Sequence, residues 1–299
     1  MFVEYAGHDN VNRRRWTRRI TVGVVVIAVA YMAACGYMWA TQIDQIFKPE
    51  AALQTTPDRL GMPFSELRIP VGRGADQGEL YGWWIPAAHQ DASEASSVPT
   101  ILYFHGNYRN ISNNLEHTLR LHHFGYNVML VDYRGYGKSS GGKPSENKMY
   151  EDAEAVWQYL IKQRGVNPQQ AFIYGHSLGG AVAIDLAVHH PEAAGLMIES
   201  TFTSMQAMGE LEYGFLPIRF LLNQRFASLQ KISGLKIPVL LIHGTWDKKV
   251  PVEMARRLYA AAPPPKTLLL IEGGEHNNSA AVGLMEYRTA VSRFVGGEK

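Results

Sequence analysis

Gly175-His176-Ser177-Leu178-Gly179 constrains this chain more than any other segment, because of what flanks it. Gln170-Ala171-Phe172-Ile173-Tyr174 reads as a buried strand, and Gly180 to Ala187 reads as a helix of small and apolar residues. A Gly-x-Ser-x-Gly run between a strand and a helix is a tight turn. It lifts the serine hydroxyl above the end of a sheet, with the N-terminus of the next helix beneath it. Side chains at the flanking positions would not fit, so both are glycine. Ser177 is therefore a candidate nucleophile.

A serine hydroxyl is unreactive until an imidazole takes its proton, and the imidazole needs a carboxylate to fix its tautomer. The chain supplies both downstream, each after an apolar run that ends in glycine. Asp247 follows Val239 to Gly244, and His276 follows Thr267 to Gly274. Chemistry in an open parallel sheet gathers at the carboxyl ends of its strands. Ser177, Asp247 and His276 are thus expected from three loops at one sheet edge. Glu199, at the end of Ala194 to Ile198, is a rival acid but reads better as a buried hydrogen-bonding group beneath the site. The apolar run ending in Phe104-His105-Gly106-Asn107 places a turn where a second oxyanion donor belongs. The backbone N–H groups of Asn107 and Leu178 are the expected pair. His105 and His243 read as structural histidines, and His122-His123 and His189-His190 form no metal-ligand spacing. No cofactor or metal is expected.

The phrases Tyr81 to Pro86, Phe104 to Asn107, Asp132-Tyr133-Arg134-Gly135-Tyr136-Gly137-Lys138-Ser139, Gly175 to Gly180, Glu199 to Ser204 and His243 to Asp247 resemble one group of α/β-hydrolases. That group is the single-span, His-Gly-Asn type, related to the yeast bud-emergence-like hydrolases and the mammalian depalmitoylases. The resemblance runs from about Phe47 to Phe294. It implies a serine hydrolase fold with an intact triad and says little about substrate. Two departures stand out. The Asp-Gly turn usual before the second strand is replaced by the longer hairpin Gly72 to Gly78, and an acidic Glu275 precedes His276.

Strand and helix signals alternate, with helices expected over Ser145 to Arg164 and Pro251 to Ala262. The fold class is α/β: a mostly parallel eight-stranded sheet with helices on both faces. Its first two strands, about Ser65 to Val71 and Glu79 to Ile85, form an antiparallel edge. Residues 61–299 form this domain, a normal size for a single large core. Ala87 to Val98 reads as a polar Ala/Ser-rich loop. A short lid occupies about Ser204 to Ser233; it is rich in apolar residues and has no charge run to grip a phosphate.

The amino terminus carries a second signal. Ile20 to Ala40 has no charged residue and as a helix would span about 31 Å, enough for a hydrocarbon core. Residues 1–19 hold five arginines against Glu4 and Asp9, a net of +3 in a chain whose formal net charge is +2. The basic character is therefore a topology signal and not a nucleic-acid surface. By the positive-inside rule, arm 1–19 stays in the cytoplasm, 20–40 spans, 41–60 links, and the hydrolase domain lies outside, on the periplasmic side of a bacterial inner membrane. Two other readings stay open. Met32-Ala33-Ala34-Cys35 resembles a lipobox, which would lipidate Cys35, and an ordinary cleaved signal peptide has the same basic-then-apolar order. A lone cysteine allows no intramolecular disulfide.

These features together imply a membrane-anchored enzyme that cleaves acyl esters or thioesters. A peptidase or amidase using the same triad, and a non-catalytic membrane-tethered binding domain, remain alternatives. The oligomeric state is open.

Overall fold

The computed structural model describes residues 6–88 and 98–297, so the Ala87–Val98 loop lies outside the described residues except at its ends. Eight strands build one sheet: β1 (Ser65–Val71), β2 (Gly78–Ile85), β3 (Thr100–Phe104), β4 (Asn127–Val131), β5 (Ala171–His176), β6 (Gly195–Glu199), β7 (Val239–Gly244) and β8 (Lys266–Ile271). Their spatial order is β8-β7-β6-β5-β3-β4-β2-β1. Only β2 runs against its neighbours β1 and β4; every other pair is parallel. The chain crosses from β4 to β5 and then winds the other way. The loops after β3 and β5 therefore part in opposite directions and leave a crevice between them, where open α/β sheets bind ligands.

The central strands β3 to β7 are buried along their whole length, as parallel strands covered on both faces must be. Alternate residues feed two cores. Leu102, Phe104, Ile173 and Leu241 pack on one face, under helices α3 (Glu146–Gln158), α4 (Leu178–His189) and α8 (Val252–Ala261). Tyr103, Phe172, Tyr174 and Ile242 pack on the other, under α2 (Leu115–His123) and α9 (Leu284–Gly296). Edge strand β1 alternates buried and exposed residues, because only one of its faces is covered. Helix α3 starts where its sequence says it should, with the Ser145 side chain accepting from the Lys148 N–H. Its last turn, Tyr159–Gln163, widens into a π turn before Arg164.

The Asp132-Tyr133-Arg134 phrase has a structural use. Arg134 is fully buried after β4 and donates from Nε to Asp152 Oδ1 at 2.6 Å, while its own N–H donates to Asp152 Oδ2 at 2.8 Å. A further nitrogen reaches Glu151 at 2.7 Å. The pair fastens α3 to the carboxyl end of the sheet.

Helix α1 runs unbroken from Ala6 to Ile46, six residues beyond the expected end of the span. Its apolar stretch is not buried against the domain and is long enough to cross a membrane. Cys35 sits half-buried within it. The segment expected to link the helix to the domain is itself docked. Phe47 is buried against Phe226, and Lys48–Pro49 pairs in parallel with Tyr108–Arg109. A lone phenylalanine in a polar stretch gave no periodicity from which this docking could be read. The lid comprises α5 (Met205–Glu212), α6 (Ile218–Leu221) and α7 (Ser228–Lys231), the first capped by Ser204, whose Oγ accepts from the Ala207 N–H.

Candidate active site

Ser177 stands between β5 and α4 with φ 54° and ψ −119°, a conformation that costs a non-glycine residue about 1–3 kcal/mol. The surroundings hold it there. Its N–H donates to the Glu199 carbonyl at 2.9 Å, and its own carbonyl accepts from Thr201 Oγ1 at 2.7 Å. The flanking glycines are steric necessities. A Cβ on Gly175 would lie 2.2 Å from the Gly179 carbonyl oxygen, and one on Gly179 would lie 2.0 Å from that of Phe104.

The structure brings the three sequence-chosen side chains together. His276 Nε2 lies 3.0 Å from Ser177 Oγ, and His276 Nδ1 lies 2.7 Å from Asp247 Oδ2. With Nδ1–H donating to the carboxylate, Nε2 is left as the acceptor for the serine proton. Asp247 is buried, and burial alone would raise its pKa. Contacts from the His243 and His276 rings and the Val250 N–H outweigh that cost and hold the carboxyl well below its ordinary range. Its other oxygen accepts from the N–H groups of Lys249 and Val250, both at 2.9 Å. His243 is thus a brace, donating from Nε2 to the Val250 carbonyl at 2.8 Å beside the carboxylate.

Glu199 is placed elsewhere. It is fully buried and accepts from the Tyr174 hydroxyl at 2.5 Å and the Tyr287 hydroxyl at 3.1 Å, while burial pushes its pKa up. It supports the serine turn through its backbone carbonyl, while Asp247 holds the His276 ring.

One contact has no local sequence signal. The His176 ring donates from Nε2 to the backbone carbonyl of His276 at 2.9 Å, across 100 residues, and so fixes the loop that carries the base. Burial pushes the His176 pKa down to about 3, and that of neighbouring His117 well below its ordinary value. Both rings are neutral when folded. An unfolded histidine takes a proton below about pH 6.5. Stability from these two groups is therefore complete above that pH and is lost as pH falls toward the folded values. For His176 alone the loss between pH 7 and pH 5 is on the order of 2 kcal/mol. Urea unfolding in detergent checks this: His176→Gln keeps a donor but cannot titrate, so its stability should fall less between those pH values. Equal falls would refute the assignment.

Gly106 packs against the serine, its missing Cβ position 3.4 Å from Ser177 Cβ. Asn107 and Leu178 both line the cleft above Ser177. The turn that carries Asn107 is braced from several sides. His105 is buried with Nε2 3.3 Å from Asp132 Oδ1, and the Tyr133 hydroxyl donates to the His105 carbonyl at 3.0 Å. The Tyr136 hydroxyl donates to the Asn107 carbonyl at 3.0 Å. Asn107 Nδ2 donates to the carbonyl of Ile46, the last residue of α1, at 2.7 Å.

The cleft holds about 800 Å³. Ser177 and His276 lie on its floor, and Phe202, Met205, Met208 and Leu222 are among its apolar walls. Two parts of it were not expected from sequence. Met38, Gln42, Gln45 and Ile46 of α1 form one wall, and Lys48, Lys248 and Lys249 stand at the rim. The lid has no charge run, but residues distant in sequence bring cations to its edge.

Fold, strand order and nucleophile turn define a class, and comparison with known proteins agrees: the chain belongs to the α/β-hydrolase superfamily. Residues 95–231 match the family described as "Serine aminopeptidase, S33". An uncharacterized protein of Mycobacterium tuberculosis, Rv2307c, is 35% identical over 244 residues, covering 79% of this chain and 82% of that one. Lysophosphatidylserine lipase ABHD12 of Danio rerio is 36% identical over 206 residues, which is 60% of this chain and 52% of that protein. Among solved structures, the Pyrococcus furiosus esterase Pf2001 superposes with a TM-score of 0.67 at 22% identity, covering 84% of this chain and 98% of that one. At that identity the likeness speaks for the fold.

Proposed function

We propose that this hydrolase is a membrane-anchored serine enzyme that cleaves acyl esters or thioesters of amphiphilic substrates through an acyl-enzyme. The observation that carries the reading is the relay from Ser177 Oγ to His276 at 3.0 Å and on to Asp247 at 2.7 Å, at the floor of an apolar cleft. Ser177 Oγ attacks the acyl carbonyl as His276 Nε2 takes its proton, and Asp247 stabilises the imidazolium. The Asn107 and Leu178 N–H groups receive the oxyanion. His276 then protonates the leaving oxygen or sulfur, and water releases the acyl group by the reverse path. The apolar walls suit an acyl chain, and the rim lysines suit an anionic head. The lipase relative supports a lipid substrate. The charge-free run of α1 supports the anchor, and the five preceding arginines favour a cytoplasmic N-terminus.

A fluorophosphonate probe on the full-length protein in detergent tests the mechanism. Wild type should label and Ser177→Ala should not. An unlabelled, folded wild type would favour the non-catalytic binding reading.

The aminopeptidase family match keeps an amidase in view. An aminopeptidase must hold a substrate ammonium. Of the residues lining this cleft, Glu212 is the single carboxylate, against three lysines. Ester turnover should therefore exceed that of the matching anilide, and a faster anilide would reverse the choice.

A further inference from the structure

The lid turns large apolar side chains outward. Leu216 and Ile218 are buried, yet Phe215 is 70% exposed and Phe220 is 82% exposed, with Leu211 exposed beside them. These aromatics are left over once the lid has packed on the domain. They lie along α1. The Tyr31 hydroxyl donates to the Phe215 carbonyl at 3.1 Å, and Gln42 donates to the Leu221 carbonyl at 3.2 Å while accepting from the Asn223 N–H at 2.9 Å. Tyr31 lies within the charge-free run, about 13 Å along the helix before its end at Ala40. A lid fastened to α1 from Tyr31 to Gln42 therefore hangs beside the part of the helix that a bilayer would surround.

The Tyr31 contact fits such a place. An exposed loop carbonyl is satisfied by water, but in hydrocarbon it needs a partner from the protein. Leu211–Phe220 itself carries two charged residues, Glu212 and Arg219. Glu210 accepts from Gln206 Nε2 at 2.7 Å, Glu212 faces the cleft, and Arg219 lies over the Phe220 ring at 5.9 Å, able to reach up to headgroup phosphates.

We propose that the lid from Leu211 to Phe220 is inserted in the leaflet that holds the C-terminal half of α1, so that the cleft opens into lipid. An acyl chain then reaches Ser177 by sliding between the lid and Met38 without first crossing water. This rests on the anchored-hydrolase reading and does not depend on which side of the membrane the domain occupies.

The test uses the full-length protein in phosphatidylcholine–phosphatidylglycerol vesicles. In a Cys35→Ser background, a single cysteine is introduced by Phe215→Cys, Phe220→Cys, Ile27→Cys or Lys162→Cys and labelled with an environment-sensitive fluorophore. Ile27 reports the span, and exposed Lys162 reports the far end of the domain. Nitroxide-bearing lipids should quench positions 27, 215 and 220 several-fold more than position 162. Quenching at 27 without quenching at 215 and 220 would overturn the inserted lid and leave the anchor standing. That includes a blue-shifted but unquenched signal, which would mean that a second copy covers the lid. No quenching at 27 would overturn the anchor itself. A functional arm uses Phe215→Asp with Phe220→Asp. Turnover of a water-soluble acetate ester should stay at the wild-type level, and turnover of a long-chain ester in vesicles should fall at least tenfold. Equal losses on both would refute lateral access.

Discussion

Ser177→Ala is expected to lower turnover of a soluble p-nitrophenyl ester by about 10⁴- to 10⁶-fold, the scale on which serine triads elsewhere lose activity. Among the described residues Ser177 supplies the hydroxyl hydrogen-bonded to His276 Nε2, and without it water must serve as the nucleophile. What remains should be the contribution of the Asn107 and Leu178 N–H groups and of substrate binding. KM should change little, since the hydroxyl contributes little to holding the ground state. Asp247→Asn separates orientation from charge. An asparagine oxygen can still accept from the Lys249 and Val250 N–H groups, each now at 2.9 Å from the carboxylate. Its amide would then present N–H to His276 Nδ1 and force the wrong ring tautomer, with a loss of about 10⁴-fold. Steady-state kinetics on purified variants with matching unfolding temperatures checks both. Turnover near the wild-type level in Ser177→Ala would end the mechanism.

The largest stability effect should come from a residue far from the chemistry. Arg134→Ala strands the Asp152 carboxylate, which loses a 2.6 Å partner in a fully buried setting. Breaking one side of a buried pair costs about 3–5 kcal/mol, which lowers the unfolding temperature of a domain this size by on the order of 10 °C. Burial already pushes Asp152 up to about 6, despite Arg134. Without the guanidinium its carboxyl binds a proton more readily still. The deficit against wild type should therefore be larger at pH 8 than at pH 5. Removing both charges with Arg134→Leu and Asp152→Leu should cost less than the two single changes added together. Thermal unfolding at the two pH values reads all of this, and a variant with wild-type stability would show that the pair holds nothing.

The sheet was legible because parallel strands covered on both faces write themselves as apolar runs, as Ile101 to Phe104 and Val239 to Ile242 do. The serine turn was legible because its constraint is local: strand, two glycines and helix all fall between Ala171 and His189. The partners of Ser177 were placed by order along the chain, and the structure sets them within hydrogen-bonding distance of one another. What could not be read depends on contacts distant in sequence. His176 reaches His276 across 100 residues, and Asn107 reaches Ile46 across 61. The lysines at the cleft rim lie before β1 and after β7, so the lid, which has no charge run of its own, gave no sign of them. Nor did composition mark the end of α1 as a wall of the cleft, since Met38, Gln42 and Ile46 look like the tail of any apolar helix.

The junction between α1 and the domain has a mechanical meaning. A single residue, Phe47, separates the end of the helix from the Lys48–Pro49 strand, and that residue is locked in the core. The strand is paired to Tyr108–Arg109, immediately beyond Asn107. There is no swivel here. If α1 spans a bilayer as proposed, a thickness that makes the helix lean would lean the whole enzyme with it, and the strain would arrive first at the loop proposed to receive the oxyanion. The lipid around this protein would then act as part of its tuning. A version cut free at Lys48 would lose that influence together with one side of its own binding cleft.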